Sequence, residues 1–409
     1  MSRKRDGSRF DGRGLLIAGW SLFAAWVLVH YGIRLGLLFY AELGLGMDTN
    51  IVDRDFANYW VGGQLVLDGT YATLFDQRAY NAYLKFLFGA GYQIHAWSYP
   101  PHFLAVVAPL GLLEYRPALI VFLAVTFALF VWASREFVRR FAPETSPRWL
   151  ALAMTGFVFL QIEATQNGFL LGALLLATFA TMRERPVLAG FFLAVLTMKP
   201  QLGFLIPLLA LIDRNWKLLG SAVAFTVVLI AGSVLCFGVD VWDAYFAQVI
   251  PYQNLVMNRW EGVFLRMMPS IFGGARTLGF APSTGFALQA VVSLVSFGVL
   301  VRLLFRLTDP LERAFAILAG TFLISPYAFN YDMGAMSLAA ACLALRARAE
   351  QRIPAMLVYG ALAVLPAAMK HLANLGAPLS PLLLAAAFYV LWTGARPASP
   401  AATPLSVPS

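Results

Sequence analysis

The sequence predicts an all-α polytopic membrane protein, and three features of its composition support this. Hydrophobic residues make up 60% of the 409 positions, and the mean hydropathy is +0.71. Charged residues make up only 12%, whereas the surface of a water-soluble protein needs many more. The formal net charge of +9 comes mainly from Lys and Arg clusters between apolar runs, which is typical of cytoplasmic loops. We therefore predict the lipid bilayer as a partner and do not predict nucleic-acid binding.

Apolar runs predict a bundle of about 12 transmembrane helices, because roughly 20 residues cross a bilayer and fewer suffice inside a bundle. The first run follows a basic N-terminus that contains Arg3, Lys4, Arg5, Arg9 and Arg13. This run is too long for a signal peptide, so we predict an uncleaved span with a cytoplasmic N-terminus. The predicted spans are residues 14–40, 99–113, 117–134, 168–182, 186–198, 201–212, 217–239, 283–304, 312–328, 333–346, 353–370 and 378–394.

Basic clusters set the predicted orientation of these spans. The clusters that become cytoplasmic, as the positive-inside rule requires, are 183–185, 213–217, 302–313 and 346–352. If the apolar segment 149–161 crossed the membrane, the predicted orientation of every later span and loop would be reversed. We therefore predict a half-helix that enters from the outer side. The arginines then left outside, against the rule, are Arg135, Arg139, Arg140 and Arg148.

Residues 1–396 are predicted to form one transmembrane domain with two large outer loops, at about 41–98 and 240–282. Many aromatic residues in the first loop indicate helices that lie in the membrane interface. The tail 397–409 is rich in Pro, Ala and Ser, and we expect it to be disordered. Under this topology, the polar anomalies of the chain gather on the outer side of the membrane.

Polar and aromatic residues are concentrated in the first outer loop, at Asp53, Arg54, Asp55, Tyr59 and Trp60. In so apolar a chain, polar groups at the end of a span are candidates for chemistry. One carboxylate could act as a general base towards a substrate hydroxyl, while the other could hold a cation. The alternative is a solvated loop in which Asp caps the following helix.

Further candidates are polar breaks between apolar segments. Tyr99 and His102 flank Pro100-Pro101, which either starts a helix rigidly or lines a cavity. Gln166, Asn167 and Lys199 occupy turns on the predicted outer side. Lys199 either extends to the interface or binds a phosphate.

The loop from Ser325 to Asp332 and the second outer loop supply the remaining candidates. Asp332 is either a helix cap or a carboxylate that faces a cavity. The other polar candidates for substrate contact are Tyr327, Asn330, Tyr331, Arg259 and Arg266. No certain cofactor is predicted, but a divalent cation is left open, because Asp53, Asp55 and Asp332 could bind one if the fold brought them together.

The order of these motifs resembles that of glycosyltransferase family 87. The motifs are Asp55, Tyr59-Trp60, Tyr99-Pro100-Pro101, Gln166-x-Gly168, Lys199-Pro200, Ser325-Pro326 and Tyr331-Asp332. The family includes polyprenol-phosphate-mannose-dependent α-1,2-mannosyltransferases. One departure is Tyr327, near the position where many members carry a histidine, which leaves the acceptor contacts there open.

The resemblance implies a GT-C fold in a bacterial inner membrane, with the active site on the periplasmic face under a large first loop. It also implies a polyprenyl-phosphate sugar as donor, with mannose favoured, and a glycolipid or glycan as acceptor. Asp55 would correspond to the catalytic aspartate that deprotonates the acceptor, with inversion at the anomeric carbon. Two other classes of protein remain open: a transporter or flippase of lipid-linked saccharides, and an assembly subunit without chemistry.

Overall fold

The computed structural model describes residues 12–42, 55–347 and 353–394, and these residues form helices and connecting turns without a β-strand. The predicted tail 397–409, Asp53 and Arg54 lie outside the described residues. The helices are α1 Gly12–Glu42, α2 Phe56–Leu67, α3 Gln77–Phe88, α4 Leu104–Val107, α5 Tyr115–Phe141, α6 Pro147–Ala164, α7 Gly168–Thr181, α8 Pro186–Val195, α9 Ile206–Ile212, α10 Trp216–Phe237, α11 Asp240–Ala244, α12 Ile250–Arg259, α13 Val263–Arg266, α14 Ile271–Thr277, α15 Pro282–Arg306, α16 Pro310–Ile324, α17 Gly334–Arg346, α18 Ile353–Asn374 and α19 Ser380–Gly394.

Five helices in the described part of the chain are long and apolar enough to cross a membrane, namely α1, α5, α10, α15 and α18. Other apolar helices have only 10–17 residues, so the number of spans, about 12 by hydropathy, stays a prediction. The centre of the bundle contains α17, in which every residue from Gly334 to Leu345 is buried. These helices support the membrane class predicted from composition.

The predicted span 99–113 is wrong, because both ends of this segment return to α2. Tyr99 shares a 2.8 Å hydrogen bond with Tyr59, and the Trp60 indole donates to the Leu113 carbonyl at 2.9 Å. Tyr59 and Trp60 are adjacent, so the segment cannot cross the ~30 Å of hydrocarbon between its ends. Prolines remove backbone donors, and the segment consists of α4 between two short 3₁₀ turns, Pro101–Phe103 and Ala108–Leu112.

The predicted half-helix 149–161 is also wrong, because α6 is a continuous helix of 18 residues. Near its C-terminal end, the Gln161 amide donates to the Tyr331 carbonyl, just before α17 begins. Just before its N-terminal end, Glu144 pairs with Arg346, the last residue of α17, at 3.1 Å. Helix α6 therefore runs along the full length of α17.

With these two corrections, the arginines predicted to lie outside are no longer exceptions to the positive-inside rule. At the C-terminal end of α5, Arg140 bonds to the Ala180 carbonyl and to Glu184. Arg346 pairs with Asp309 at 2.6 Å at that same end of the bundle. The arginines predicted to lie outside now join the basic clusters of the other loops: Arg135, Arg139, Arg140 and Arg148.

The first loop packs on the opposite end of the bundle. Phe56 contacts Tyr115, the first residue of α5, with ring centroids 5.4 Å apart. Helix α2 lies very close to the turn Ala108–Leu112, because a Cβ atom on Gly63 would come within 2.6 Å of the Gly111 nitrogen. Glycine is required for such a close backbone approach. This contact fixes the helix that begins immediately after Asp55.

Candidate active site

Asp55 immediately precedes α2, and its side chain is 37% exposed. It makes no side-chain cap hydrogen bond to that helix, although its backbone carbonyl accepts from the Asn58 amide at 3.1 Å. The helix-cap interpretation of this carboxylate is therefore wrong. The His95 imidazole lies nearby, with Nδ1 4.0 Å from Oδ1 of Asp55.

His95 is a site residue that the sequence reasoning missed. Asn58 lies 3.4 Å from the same imidazole nitrogen, and Tyr80 donates to Asn58 at 2.5 Å. Amide groups of Gln77 and Asn81 bond to the His95 backbone. The one available signal was composition, since the whole chain has only four histidines.

Tyr59 and Tyr99 form a buried polar network with the turn before α7. The Tyr59 hydroxyl donates to the Gln166 side-chain oxygen at 2.5 Å, and Asn167 donates to the Tyr99 hydroxyl at 3.2 Å. Burial raises the pKa of both tyrosines, so both remain neutral phenols at neutral pH. Within the described residues, the buried Asn167 Oδ1 has no hydrogen-bond partner, so it can accept from a substrate hydroxyl.

Lys199 and Asp332 form a buried ion pair. The ammonium lies 2.7 and 2.9 Å from the two carboxylate oxygens, and Asp332 is fully buried. Asp332 also accepts from the Phe329 amide at 3.1 Å, and the Tyr331 ring lies 4.9 Å from the ammonium. The positive charge of Lys199, for which the sequence left interface contact and phosphate binding open, is thus matched by a carboxylate within the protein.

The network of Tyr59 and the ion pair belong to one site. Gly168, next to Asn167, approaches the Tyr331 carbonyl so closely that a Cβ atom would clash with that oxygen. The charges of Asp55 and Asp332 both contribute to the raised pKa of Tyr99. Burial raises the pKa of Tyr327 to about 12, so this phenol is also a neutral donor. The Asp55 site, as we define it, contains Asp55, Tyr59, His95, Tyr99, Gln166, Asn167, Lys199, Tyr327, Tyr331 and Asp332.

The other predicted site residues have different partners. Asn330 donates to the Pro366 carbonyl at 3.0 Å and accepts from the Tyr331 amide, so it holds the loop against α18. His102 lies 3.3 Å from Thr197 and stacks on Trp242. Trp60 bonds to the backbone before α5, Arg259 is exposed, and Arg266 donates to Asn374 at 2.9 Å.

The described residues include no group of three or more His, Cys, Asp or Glu side chains that could hold a metal ion. Asp53, which we considered with Asp55 and Asp332 for a cation, lies outside those residues. Asp332 itself is bound by Lys199. The divalent cation that the sequence left open therefore has no support among the described residues.

Comparison with protein families identifies the chain. The model of glycosyltransferase family 87 matches residues 97–326, more than half of the chain. The chain belongs to glycosyltransferase family 87. No curated protein and no solved structure gives a significant match.

Membership of glycosyltransferase family 87 indicates a membrane enzyme that moves a sugar from a donor to an acceptor. It confirms the family resemblance in the sequence, but not the mannosyltransferase subtype or the GT-C superfamily. The matched region contains Tyr99, Gln166, Asn167 and Lys199, while Asp55 precedes it and Asp332 follows it.

Proposed function

We propose that this family 87 enzyme transfers mannose from a polyprenyl-phosphate donor to a hydroxyl group of a lipid-linked or polysaccharide acceptor. The observation that carries the proposal is the Asp55 carboxylate, partly exposed in a site that also holds the buried phenols of Tyr59 and Tyr99 and the partly buried phenol of Tyr327. A carboxylate that does not cap its helix, in a site of neutral hydrogen-bond donors, suits a general base that acts on a sugar hydroxyl.

In the proposed reaction, Asp55 accepts the proton of the acceptor hydroxyl. The acceptor oxygen forms a bond with the anomeric carbon as the bond from that carbon to the phosphate oxygen breaks. Polyprenyl phosphate leaves with the electron pair, and a single displacement inverts the anomeric configuration, so a β-linked donor gives an α-linked product. The His95 imidazole, 4.0 Å from the carboxylate, acts as a positioning residue.

We further propose that the Asp55 site faces the periplasm of a bacterial inner membrane. The support is the collection of basic clusters at the other end of the bundle, where Arg140, Arg313 and Arg346 form ion pairs. Positive loops face the cytoplasm, so the opposite end faces outward.

Cysteine labelling in intact cells tests this orientation. Arg139 and Gly91 are both exposed, at the basic end and in the first loop respectively. In a background that carries Cys236→Ser and Cys342→Ala, an impermeant maleimide is expected to label Gly91→Cys and not Arg139→Cys. Labelling of Arg139→Cys alone would reverse the proposed topology, and detergent-lysed cells provide the control for reactivity.

A transfer assay on purified protein in nanodiscs tests the reaction. Radiolabelled polyprenyl-phosphate mannose, glucose and arabinose are supplied in parallel with nucleotide sugars, and membrane lipid extract serves as acceptor. We expect a labelled product from polyprenyl-phosphate mannose alone. Transfer from a nucleotide sugar would contradict the proposed donor class. Movement of a lipid-linked saccharide across vesicles without a new product would support the transporter alternative.

A further inference from the structure

A lipid-phosphate donor needs positive hydrogen-bond donors for its phosphate group. Lys199, the cation among the described residues of the Asp55 site, already contacts both oxygens of Asp332. A phosphate that took Lys199 would leave a buried carboxylate unpaired, which is strongly unfavourable. We therefore expect the donor phosphate to bind to cations other than Lys199.

A basic cluster lies where α1, α6 and α18 meet, and it consists of Arg34, Lys370 and His371. Arg34 lies 2.7 Å from Glu163, and both residues act electrostatically on Lys370. Lys370 and Arg34 also act on His371. Among the described residues, Glu163 pairs with Arg34 alone, so the Lys370 ammonium adds a positive charge to the cluster that this carboxylate does not match.

Aromatic packing holds the cluster in place. Trp26 stacks on His30 at 5.2 Å between ring centroids and meets the edge of His371 at 4.9 Å. The two imidazoles are 4.6 Å apart. Nε2 of His30 is buried without a hydrogen-bond partner in the described part of the chain. The His30 imidazole, which lies against the cluster, thus has a nitrogen whose hydrogen-bonding capacity is unused within the described residues.

The basic cluster is joined to the Asp55 site through two short connections. Glu163 is two residues before Thr165, whose hydroxyl accepts from the Phe56 amide at 3.4 Å, next to Asp55. On α18, Pro366 accepts from Asn330 at 3.0 Å, one turn before Lys370. The segments that follow Glu163 and precede Lys370 thus contact the same loops that carry Asp55 and Asp332.

The surface of α1 beside the cluster is apolar. Val29 and Ile33 are 63% and 60% exposed, and they flank the turn that carries His30. Exposed aliphatic residues on a long apolar helix are suited to contact with lipid. A lipid ligand could thus reach the cluster laterally from the bilayer while its hydrocarbon chain stays in the bilayer.

We propose that the basic cluster of Arg34, Lys370 and His371 binds the phosphate of the polyprenyl-phosphate donor, an inference that rests on the proposed function. The same chemistry would suit an anionic phospholipid headgroup. The contacts that these helices share with loops of the Asp55 site favour the donor, because the sugar and the phosphate of one molecule must occupy neighbouring positions during transfer.

Native mass spectrometry on the purified protein in mixed micelles tests the binding step with polyprenyl monophosphate, phosphatidylglycerol and inorganic phosphate as probes. We expect wild type to retain polyprenyl monophosphate in preference to phosphatidylglycerol. Lys370→Gln should bind about tenfold less, the effect of losing one charge-assisted hydrogen bond, and Lys370→Arg should restore binding. Lys85→Gln, a matched change on the exposed face of α3, should bind like wild type.

Equal retention of polyprenyl monophosphate by wild type and Lys370→Gln would overturn the proposal. If wild type retained phosphatidylglycerol as well as it retains polyprenyl monophosphate, the cluster would be a general site for anionic headgroups. That result would also overturn the proposal. In the transfer assay, Lys370→Gln should raise KM for the donor more than it lowers kcat. Since binding is measured without turnover, a wild type that binds polyprenyl monophosphate but transfers no sugar would contradict the proposed function and leave this site intact.

Discussion

Asp55→Asn is expected to lower kcat for sugar transfer by about 10²–10⁴-fold, the usual contribution of general acid–base catalysis. Asparagine has nearly the same shape as aspartate but cannot accept the proton of the acceptor hydroxyl. Asp55 makes no cap hydrogen bond and is partly exposed, so the folded structure should tolerate the change. Donor binding, measured by retention of polyprenyl phosphate, should remain close to that of wild type.

Asp76→Asn is the matched control for this experiment. Asp76 lies in the same loop and caps α3, because its carboxylate accepts from the Arg78 and Ala79 amides at 2.8 and 3.0 Å. Asparagine is an equally good cap, so stability and kcat should both be retained. If Asp55→Asn retained the kcat of wild type, Asp55 would not be the base. Loss of folded protein in Asp55→Asn alone would assign it a structural role.

Composition was sufficient to predict the membrane class, but length and apolarity were not sufficient to identify which segments cross. Residues 99–113 and α6 are both apolar, and hydropathy does not report that the first segment returns to Tyr59 and Trp60. The better signal was charge. Arg139 and Arg140 break the positive-inside rule only in a topology in which residues 99–113 cross the membrane and α6 does not.

The candidate site was predictable as a set of residue types but not as a set of contacts. Tyr59, Tyr99, Gln166 and Asn167 were all candidates, and the structure joins them by hydrogen bonds. Lys199 and Asp332 are 133 positions apart in sequence. Nothing local to either residue reveals that each neutralises the other. Pairing of this kind depends on tertiary packing alone.

The second large effect is expected at the buried pair itself. Lys199→Met should destabilise the protein by about 3–5 kcal/mol, because it leaves the fully buried Asp332 carboxylate without its partner. Thermal unfolding in detergent should show a lower midpoint for Lys199→Met. Arg139→Met is the control, since its pair with Glu136 is exposed and should be worth about 0–1 kcal/mol.

The double variant Lys199→Met, Asp332→Leu separates folding from chemistry. Replacing a buried ion pair by apolar residues of similar volume is often neutral or stabilising, so the unfolding midpoint should recover most of the loss seen in Lys199→Met. Its net charge at the Asp55 site equals that of wild type, and the base and the phenols are unchanged. We therefore expect the double variant to retain sugar transfer. A double variant that folds like wild type but transfers no sugar would show that Lys199 or Asp332 takes part in substrate binding or transfer and is not needed for folding alone.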